Sequence, residues 1–320
     1  MRPECTTLTE PPGFLPWAIV LAGGEGERMK PAISRWLGEE RPKQYCTFTG
    51  TRSMLEHTWD RCRQITLSSR IVSVIGSGHS RFLKPLRQEA TPGTVIEQPE
   101  ARGTLAGVLF PLAYVLTEDP AATVCILPSD HFIFPENRFL GFLRDASTLA
   151  NLNPDRIVVL GAVPDSPETD YGWIQGEVPK DRETECRKIV AFAEKPPASL
   201  ARKLFKKGGF WNTMILTAKA RHIWNLATSL YPEMMQKFDA LRTVISVVRQ
   251  KRAPTSMESI ALSHTYRSIS SSDLSRDLLQ QLPEQLLLLP LVGVEWSDWG
   301  RPFRIRQTLE HLGKKPGFVW

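Results

Sequence analysis

Residues Leu21 to Pro31 read LAGGEGERMKP and follow directly on the apolar run Trp17-Ala18-Ile19-Val20. That run has the length and unbroken apolarity of a strand covered on both faces. Gly23, Gly24 and Gly26 then leave the backbone bare, so its N–H groups can approach a polyanion closely, and Arg28 adds a cation. A buried strand, a glycine-rich turn and a fixed cation together make a phosphate-binding corner. Two common glycine patterns do not fit. The dinucleotide fingerprint needs a third glycine near Met29, and the Walker loop needs Gly-Lys-Ser/Thr. Taken alone, the loop reads equally well as a tight strand-to-helix turn with no ligand.

Apolar runs rich in β-branched residues recur at 71–75, 123–127 and 157–160. Helical patterns lie between them. Ser53-x-x-Glu56 is a capping box ahead of Leu55, Trp59 and Cys62 at helical spacing, and 102–116 (interrupted by Pro111) and 137–149 read as longer helices. This alternation predicts an α/β fold, a doubly wound, mainly parallel (Rossmann-like) sheet. Ligands of such sheets sit beyond the carboxyl ends of the strands, which places the glycine loop and the strand-terminal Asp130 at one crevice. In the second half, 198–207, 220–230 and 232–248 read as helices, and 268–272 as a serine-rich turn before another. No repeat or linker divides the chain. The expected organisation is a flexible arm over 1–13 and a single domain over 14–320, with a first half at about 14–150 and a second at about 151–320.

The 320 residues, 42% hydrophobic and 23% charged, describe an ordinary globular chain. The net charge of +6 suits anionic partners. No dense Lys/Arg block with interleaved aromatics is present, so small anionic molecules are expected in preference to nucleic acid. Cys5, Cys46, Cys62, Cys125 and Cys186 form no C-x-x-C pair, as expected of reduced thiols in a cytoplasm. The first apolar run is too short for a membrane span or a signal peptide.

Six further segments follow the glycine loop in order: RPKQYC from Arg41, QPEARGT from Gln98, LPSDH from Leu127, ETDYGWI from Glu168, FAEKP from Phe192 and EWSDWG from Glu295. Together they resemble the sugar nucleotidyltransferases, most closely the mannose-1-phosphate guanylyltransferases, over about Trp17 to Gly300. The resemblance implies the nucleotide-diphospho-sugar transferase type of sheet. It also implies transfer of a nucleotidyl group from GTP to mannose 1-phosphate, giving GDP-mannose and pyrophosphate. The nucleophile of that reaction is already an anion, so no general base is required. Catalysis must come from positioning and positive charge.

By this resemblance, Arg28 and Lys43 neutralise the triphosphate and the leaving pyrophosphate, and Lys195 holds the sugar phosphate. Asp130 and Asp298 hold a Mg²⁺ on the α-phosphate, as oxygen ligands suit that hard ion. Leu21, Ala22 and Gly23 lie beneath base and ribose, Gly24 and Gly26 line the phosphates, and Gln98, Gly103 and Thr104 face the purine. Tyr171, Gly172, Glu194 and Asn212 contact the sugar hydroxyls, although Asn212 beside Trp211 also reads as a buried structural amide. His131, Trp296 and Trp299 are expected to pack around the site. Asp298→Ala is expected to cut the rate by orders of magnitude and leave folding intact. The resemblance leaves assembly into a homo-oligomer open. Because the chain ends soon after the last motif, a single-activity transferase domain is expected.

Several residues depart from the family's pattern. Glu27 replaces a small hydroxylated residue, with Glu25 nearby, and two acids beside a triphosphate repel it unless turned away. Asp170 stands where glycine is common, which predicts an unusual turn. Ala101 replaces an asparagine, Met214 a glycine, and Arg301 a serine. These changes motivate two alternatives: a non-catalytic sugar-nucleotide binder or regulatory paralogue, and the same reaction on another sugar and base. A nicotinamide-dependent oxidoreductase is disfavoured by the missing third glycine.

Overall fold

The computed structural model describes residues 15–84, 91–177 and 186–314; the arm expected over 1–13 lies outside them. Strand β1 (Trp17–Ala22) runs between β2 (Ile71–Ile75) and β4 (Thr123–Pro128), parallel to both, and β3 (Thr94–Glu97) adds to β2 in parallel. β1 is apolar throughout because both its faces are covered. Ile19 packs in one hydrophobic cluster with Leu105, Leu109 and Leu112, while Ala18 and Val20 pack in the other with Leu55, Trp59 and Leu143. The helix Met54–Arg63 carries the expected capping box: Glu56 N–H donates to Ser53 Oγ, and Ser53 N–H donates to Glu56 Oε2 at 2.8 Å. The helix Gly103–Glu118 runs on through Pro111.

The second half departs from the expected parallel sheet. β5 (Phe132–Phe134) leaves for a small separate sheet, and β6 (Ile157–Ala162) returns to the main one. β7 (Trp173–Gly176) and β8 (Arg187–Ala193) pair antiparallel, and β9 (Phe210–Lys219) lies antiparallel between β4 and β6. β10 (Leu286–Leu291) is parallel to β6 and antiparallel to β8, and β7 pairs back onto β9. Strands β9, β6, β10, β8 and β7 therefore close on one another. The sheet is mixed. β8 is largely uncovered, with only Ile189 and Phe192 buried, as antiparallel pairing allows, whereas β7 is covered on both faces, Trp173 and Ile174 packing in different clusters.

Reversal of β9 matters for the site. Its first residues pair with the carboxyl end of β6, Trp211 opposite Ala162 and Asn212 opposite Gly161. Trp173, opening β7, lies opposite Trp211 and also opposite Ala193, which closes β8. The segments 171–172, 194–195 and 211–212 thus gather at one edge. β11 (Glu295–Ser297) pairs antiparallel with β5, setting Ser297 opposite Phe132. That register delivers Asp298 to the neighbourhood of Asp130, although the two lie far apart in the chain.

A third cluster fixes the glycine loop's other side. Met29 and Ile33 pack with Phe48, Trp299, Ile305 and Leu309, joining the helices Lys30–Leu37 and Pro302–His311. No helix among the described residues is long and apolar enough to cross a membrane.

Candidate active site

Gln44 holds the glycine loop. It is buried, and its Nε2 donates to the carbonyls of Ala22, at 2.9 Å, and Gly24, at 2.8 Å. Gly26 has φ +66° and lies so close to Lys43 that a Cβ there would meet its backbone nitrogen at 3.3 Å. The left-handed φ favours glycine there, and the close approach adds to it. Met29, buried beside Arg28, anchors the turn and leaves the Arg28 side chain 49% exposed.

Lys43 links the two predicted aspartates, through the carboxylate of one and the backbone of the other. Its side chain is 4% exposed, its Nζ lies 2.9 Å from Asp130 Oδ2, and it also donates to the carbonyl of Asp298. Asp298 Oδ1 accepts from Tyr171 Oη at 2.8 Å, from Gly300 N–H at 2.9 Å and from Arg304 Nη1 at 2.9 Å. Its Oδ2 accepts from Arg28 Nη2 at 2.9 Å. Burial opposes the charge on Asp298, but Lys43 and Arg304 outweigh it and hold the carboxyl below the ordinary range. Asp130 is lowered in the same way: burial opposes, and Lys43 prevails. Both are carboxylates at neutral pH.

Asp298 is one of several counter-charges here, since Lys43 also pairs with Asp130, and Arg304 with Glu168 and Asp170. Its carboxylate holds Arg304 and Arg28, so Asp298→Ala is expected to lower stability as well as activity.

The two carboxylates suit a Mg²⁺ ion. Among the described residues no group of three or more His, Cys, Asp or Glu could hold a metal. Mg²⁺ commonly needs only one or two carboxylates, with phosphates and water completing its shell. Asp130 and Asp298 supply that number, and among the described residues Asp298 Oδ2 meets only the half-exposed Arg28.

The unusual acids are all paired. Glu27, its side chain 71% exposed, meets Lys30 at 2.8 Å, and Glu25 meets His79 Nε2 at 3.0 Å. Neither acid faces the carboxylate pair unpartnered. Asp170 and Arg301, two separate departures from the family's pattern, meet each other at 2.8 Å. Asp170 is not among the residues with positive φ. Its turn is held by Glu168, whose Oε1 accepts the N–H groups of Thr169 and Asp170, so the unusual backbone expected there is absent. Met214 does take a left-handed φ of +56°, where the family's glycine would sit; Asn212 Oδ1 accepts its N–H at 3.1 Å.

Gly172, Glu194 and Asn212 come together as the strand order requires. A Cβ on Gly172 would meet Glu194 Oε2 at 2.5 Å and Asn212 Cβ at 3.1 Å. Burial raises the Glu194 carboxyl. Asn212 Nδ2 donates to Ser275 Oγ at 3.0 Å. Lys195 is 56% exposed, pairs with Glu194 at 3.5 Å and has a left-handed φ of +46°. Tyr171 directs its hydroxyl at Asp298, with the Arg304 guanidinium 4.5 Å above its ring.

On the other side, Gln98 packs against Gly23, where a Cβ would collide with its amide, and accepts from Tyr266 Oη at 3.0 Å. Gly103 (φ +80°) abuts the backbone of Ser272, and Thr104 Oγ1 donates to Asp273 at 3.2 Å and accepts Leu274 N–H at 2.8 Å. The helix start expected at the purine is thus tied to segment 272–274.

His131 packs as expected. Trp296 Nε1 donates to its Nδ1 at 3.2 Å, and burial lowers its pKa to about 4. The folded chain therefore holds it neutral, whereas the unfolded chain protonates it near 6.5. Stability is present above pH 6.5 and is lost as pH falls toward 4. His131→Phe should flatten that part of the stability curve by up to about 2–3 kcal/mol, measured by urea unfolding without divalent ions. An unchanged pH slope would refute the assignment.

Four residues at the site were missed from the sequence: Arg304, Gln44, Glu168 and His79. Arg304 is the most connected, reaching Asp298, Glu168 at 2.6 Å and Asp170 at 3.1 Å. Gln44 adjoins Lys43 and Glu168 opens a motif, so both had a signal. Arg304 and His79 had none, since they lie outside every motif.

Comparison with known proteins places the chain in a family. The Salmonella montevideo mannose-1-phosphate guanylyltransferase is 32% identical over 219 residues, 65% of this chain and 44% of its own length. Mannose-1-phosphate guanylyltransferase 2 of Escherichia coli O157:H7 is 29% identical over 306 residues, 88% of this chain and 58% of its own. The chain thus spans about half the length of these curated relatives. A Thermus thermophilus structure described as a mannose-1-phosphate geranyltransferase shares the fold, with TM-score 0.74 and 24% identity over 89% of this chain and 76% of its own. The glycine loop, both carboxylates and the gathered strand edge all lie within residues 17–312, which match the nucleotidyl transferase family, and the chain belongs to it.

Proposed function

We propose that this chain is a Mg²⁺-dependent enzyme that joins GTP to mannose 1-phosphate, forming GDP-mannose and pyrophosphate. The observation that carries the reading is the linkage of four distant segments through charge: buried Lys43 pairs with Asp130 and donates to the carbonyl of Asp298, whose carboxylate pairs with Arg28. The names of the guanylyltransferase relatives support the choice of sugar and base.

In this reading, a phosphate oxygen of the sugar 1-phosphate attacks the α-phosphorus of the nucleotide. The bond to the bridging oxygen of the β-phosphate breaks, and pyrophosphate leaves with that electron pair. Lys43 and Arg28 neutralise the charge that accumulates on the departing oxygens. Lys195 holds the incoming phosphate, while Glu194 and Asn212 accept and donate to sugar hydroxyls beside Gly172. Asp130 and Asp298 would hold the Mg²⁺, which supplies charge neutralisation at the α-phosphate when bound. Glu27 pairs with Lys30, Asp170 with Arg301, and Glu25 meets His79 and lies 3.9 Å from Lys30, which offsets the repulsion that motivated a non-catalytic reading.

The test is pyrophosphate release across nucleoside triphosphates and sugar 1-phosphates with Mg²⁺. Turnover highest with GTP and mannose 1-phosphate is expected. Turnover with another pair would change the specificity, and none with any pair would end the enzyme reading. Lys195→Gly is a sharper probe, because it removes a cation and relieves a left-handed backbone. It should cut kcat/KM on the order of a hundredfold yet raise stability by about 1 kcal/mol. A variant that loses stability, or keeps full activity, would count against the role assigned to Lys195.

A further inference from the structure

One oxygen of Asp170 collects three guanidinium groups. Its Oδ2 accepts from Arg301 Nε at 2.8 Å, Arg304 Nη2 at 3.1 Å and Arg28 Nη1 at 3.3 Å. The three differ in freedom. Arg304 is buried and tied to Glu168 and Asp298. Arg301 keeps Asp170 in place. Arg28, half exposed, spans Asp170 and Asp298 with its two terminal nitrogens.

The donors on Asp298 are divided in the same sense. Oδ1 takes three from buried or backbone groups, whereas Oδ2 takes only Arg28 among the described residues. The oxygen that can be exposed without dismantling the core is the one that Arg28 covers.

We propose that Asp170 is a positioning residue that parks Arg28 across Asp298 while no polyphosphate is bound. Arrival of a triphosphate draws Arg28 off both carboxylates and uncovers Asp298 Oδ2 in the same movement. Binding of the anion and availability of the second carboxylate are thereby coupled. The proposal rests on the reading of this crevice as a nucleoside-triphosphate site. A half-exposed ion pair is weak, so a polyanion can displace it. Because Glu168 and not the Asp170 side chain holds the turn, the carboxylate can be altered without unfolding the segment.

The test titrates the full chain with GTP, and separately with inorganic tripolyphosphate, by calorimetry with and without Mg²⁺. Asp170→Asn should bind either probe about fivefold more tightly than wild type. The gain should vanish, to within about twofold, when Arg28→Gln is introduced alongside it. A gain that persists without Arg28 would be simple removal of negative charge, and overturns the latch, as does no gain at all. Melting temperatures are measured in parallel, and Asp170→Ser replaces the amide variant if that one is destabilised. Wild type that takes up tripolyphosphate but not GTP fails the guanosine assignment, and the latch is then judged on tripolyphosphate. Wild type that binds neither overturns both.

Discussion

Asp298→Asn should lower turnover by about a thousandfold or more, because the amide cannot supply the second anionic oxygen to a divalent cation. Asparagine is the informative replacement. It keeps the shape of the side chain and one acceptor for Tyr171, Gly300 and Arg304. It still removes the charge that balances Lys43 and Arg304, so a loss of a few kcal/mol in stability accompanies the loss of rate. Rates should therefore be compared where circular dichroism shows both proteins folded. With Mg²⁺ varied, the variant should also show a weakened metal dependence. Near-normal turnover in folded Asp298→Asn would remove this residue from the metal and, with it, the central feature of the proposed function.

Arg304→Met should destabilise the chain by about 3–5 kcal/mol, since removing one partner of a buried charge network leaves the others uncompensated. Arg304 is buried, its protonated form favoured by Asp298 despite the opposing cost of burial. Methionine fills comparable volume, so the loss reports charge more than packing. Asp298, Asp170 and Glu168 would each lose a donor, and Tyr171 would lose the cation over its ring. Chemical denaturation measures the effect. A change below about 1 kcal/mol would show that solvent screens the network and that Arg304 serves the site in another way.

Much of the helical framework was legible because its signals are local. The helix Ala220–Leu230 and the strand Ile71–Ile75 have the expected bounds, and the capping box forms as read. Helices at 136–152 and 232–249 extend only slightly beyond their apolar patterns. The strands β7 and β8 were not legible. Their residues are only partly apolar, and the pairing that buries them is supplied by β9 and β10. For the same reason the parallel expectation failed for half the sheet: strand direction depends on which neighbours close the ring, and no run of side chains encodes that.

Charge at the site divides along a similar line. Arg28, Lys43, Asp130, Lys195 and Asp298 could be singled out because they stand in the motifs that resemble those of the nucleotidyltransferases. The partners of Glu25, Glu27 and Asp170 could not. Glu25 meets His79 through packing, and Asp170 meets Arg301 across 131 positions of chain. Residue types and short-range periodicity, which act over a few bonds, determined where the strand, the glycine turn and the ionisable groups lie. The pairing of β11 with β5 and the reversal of β9 determined which of those groups share one low-dielectric crevice. Long-range contacts set that, because the energy of a buried charge depends on what surrounds it in space.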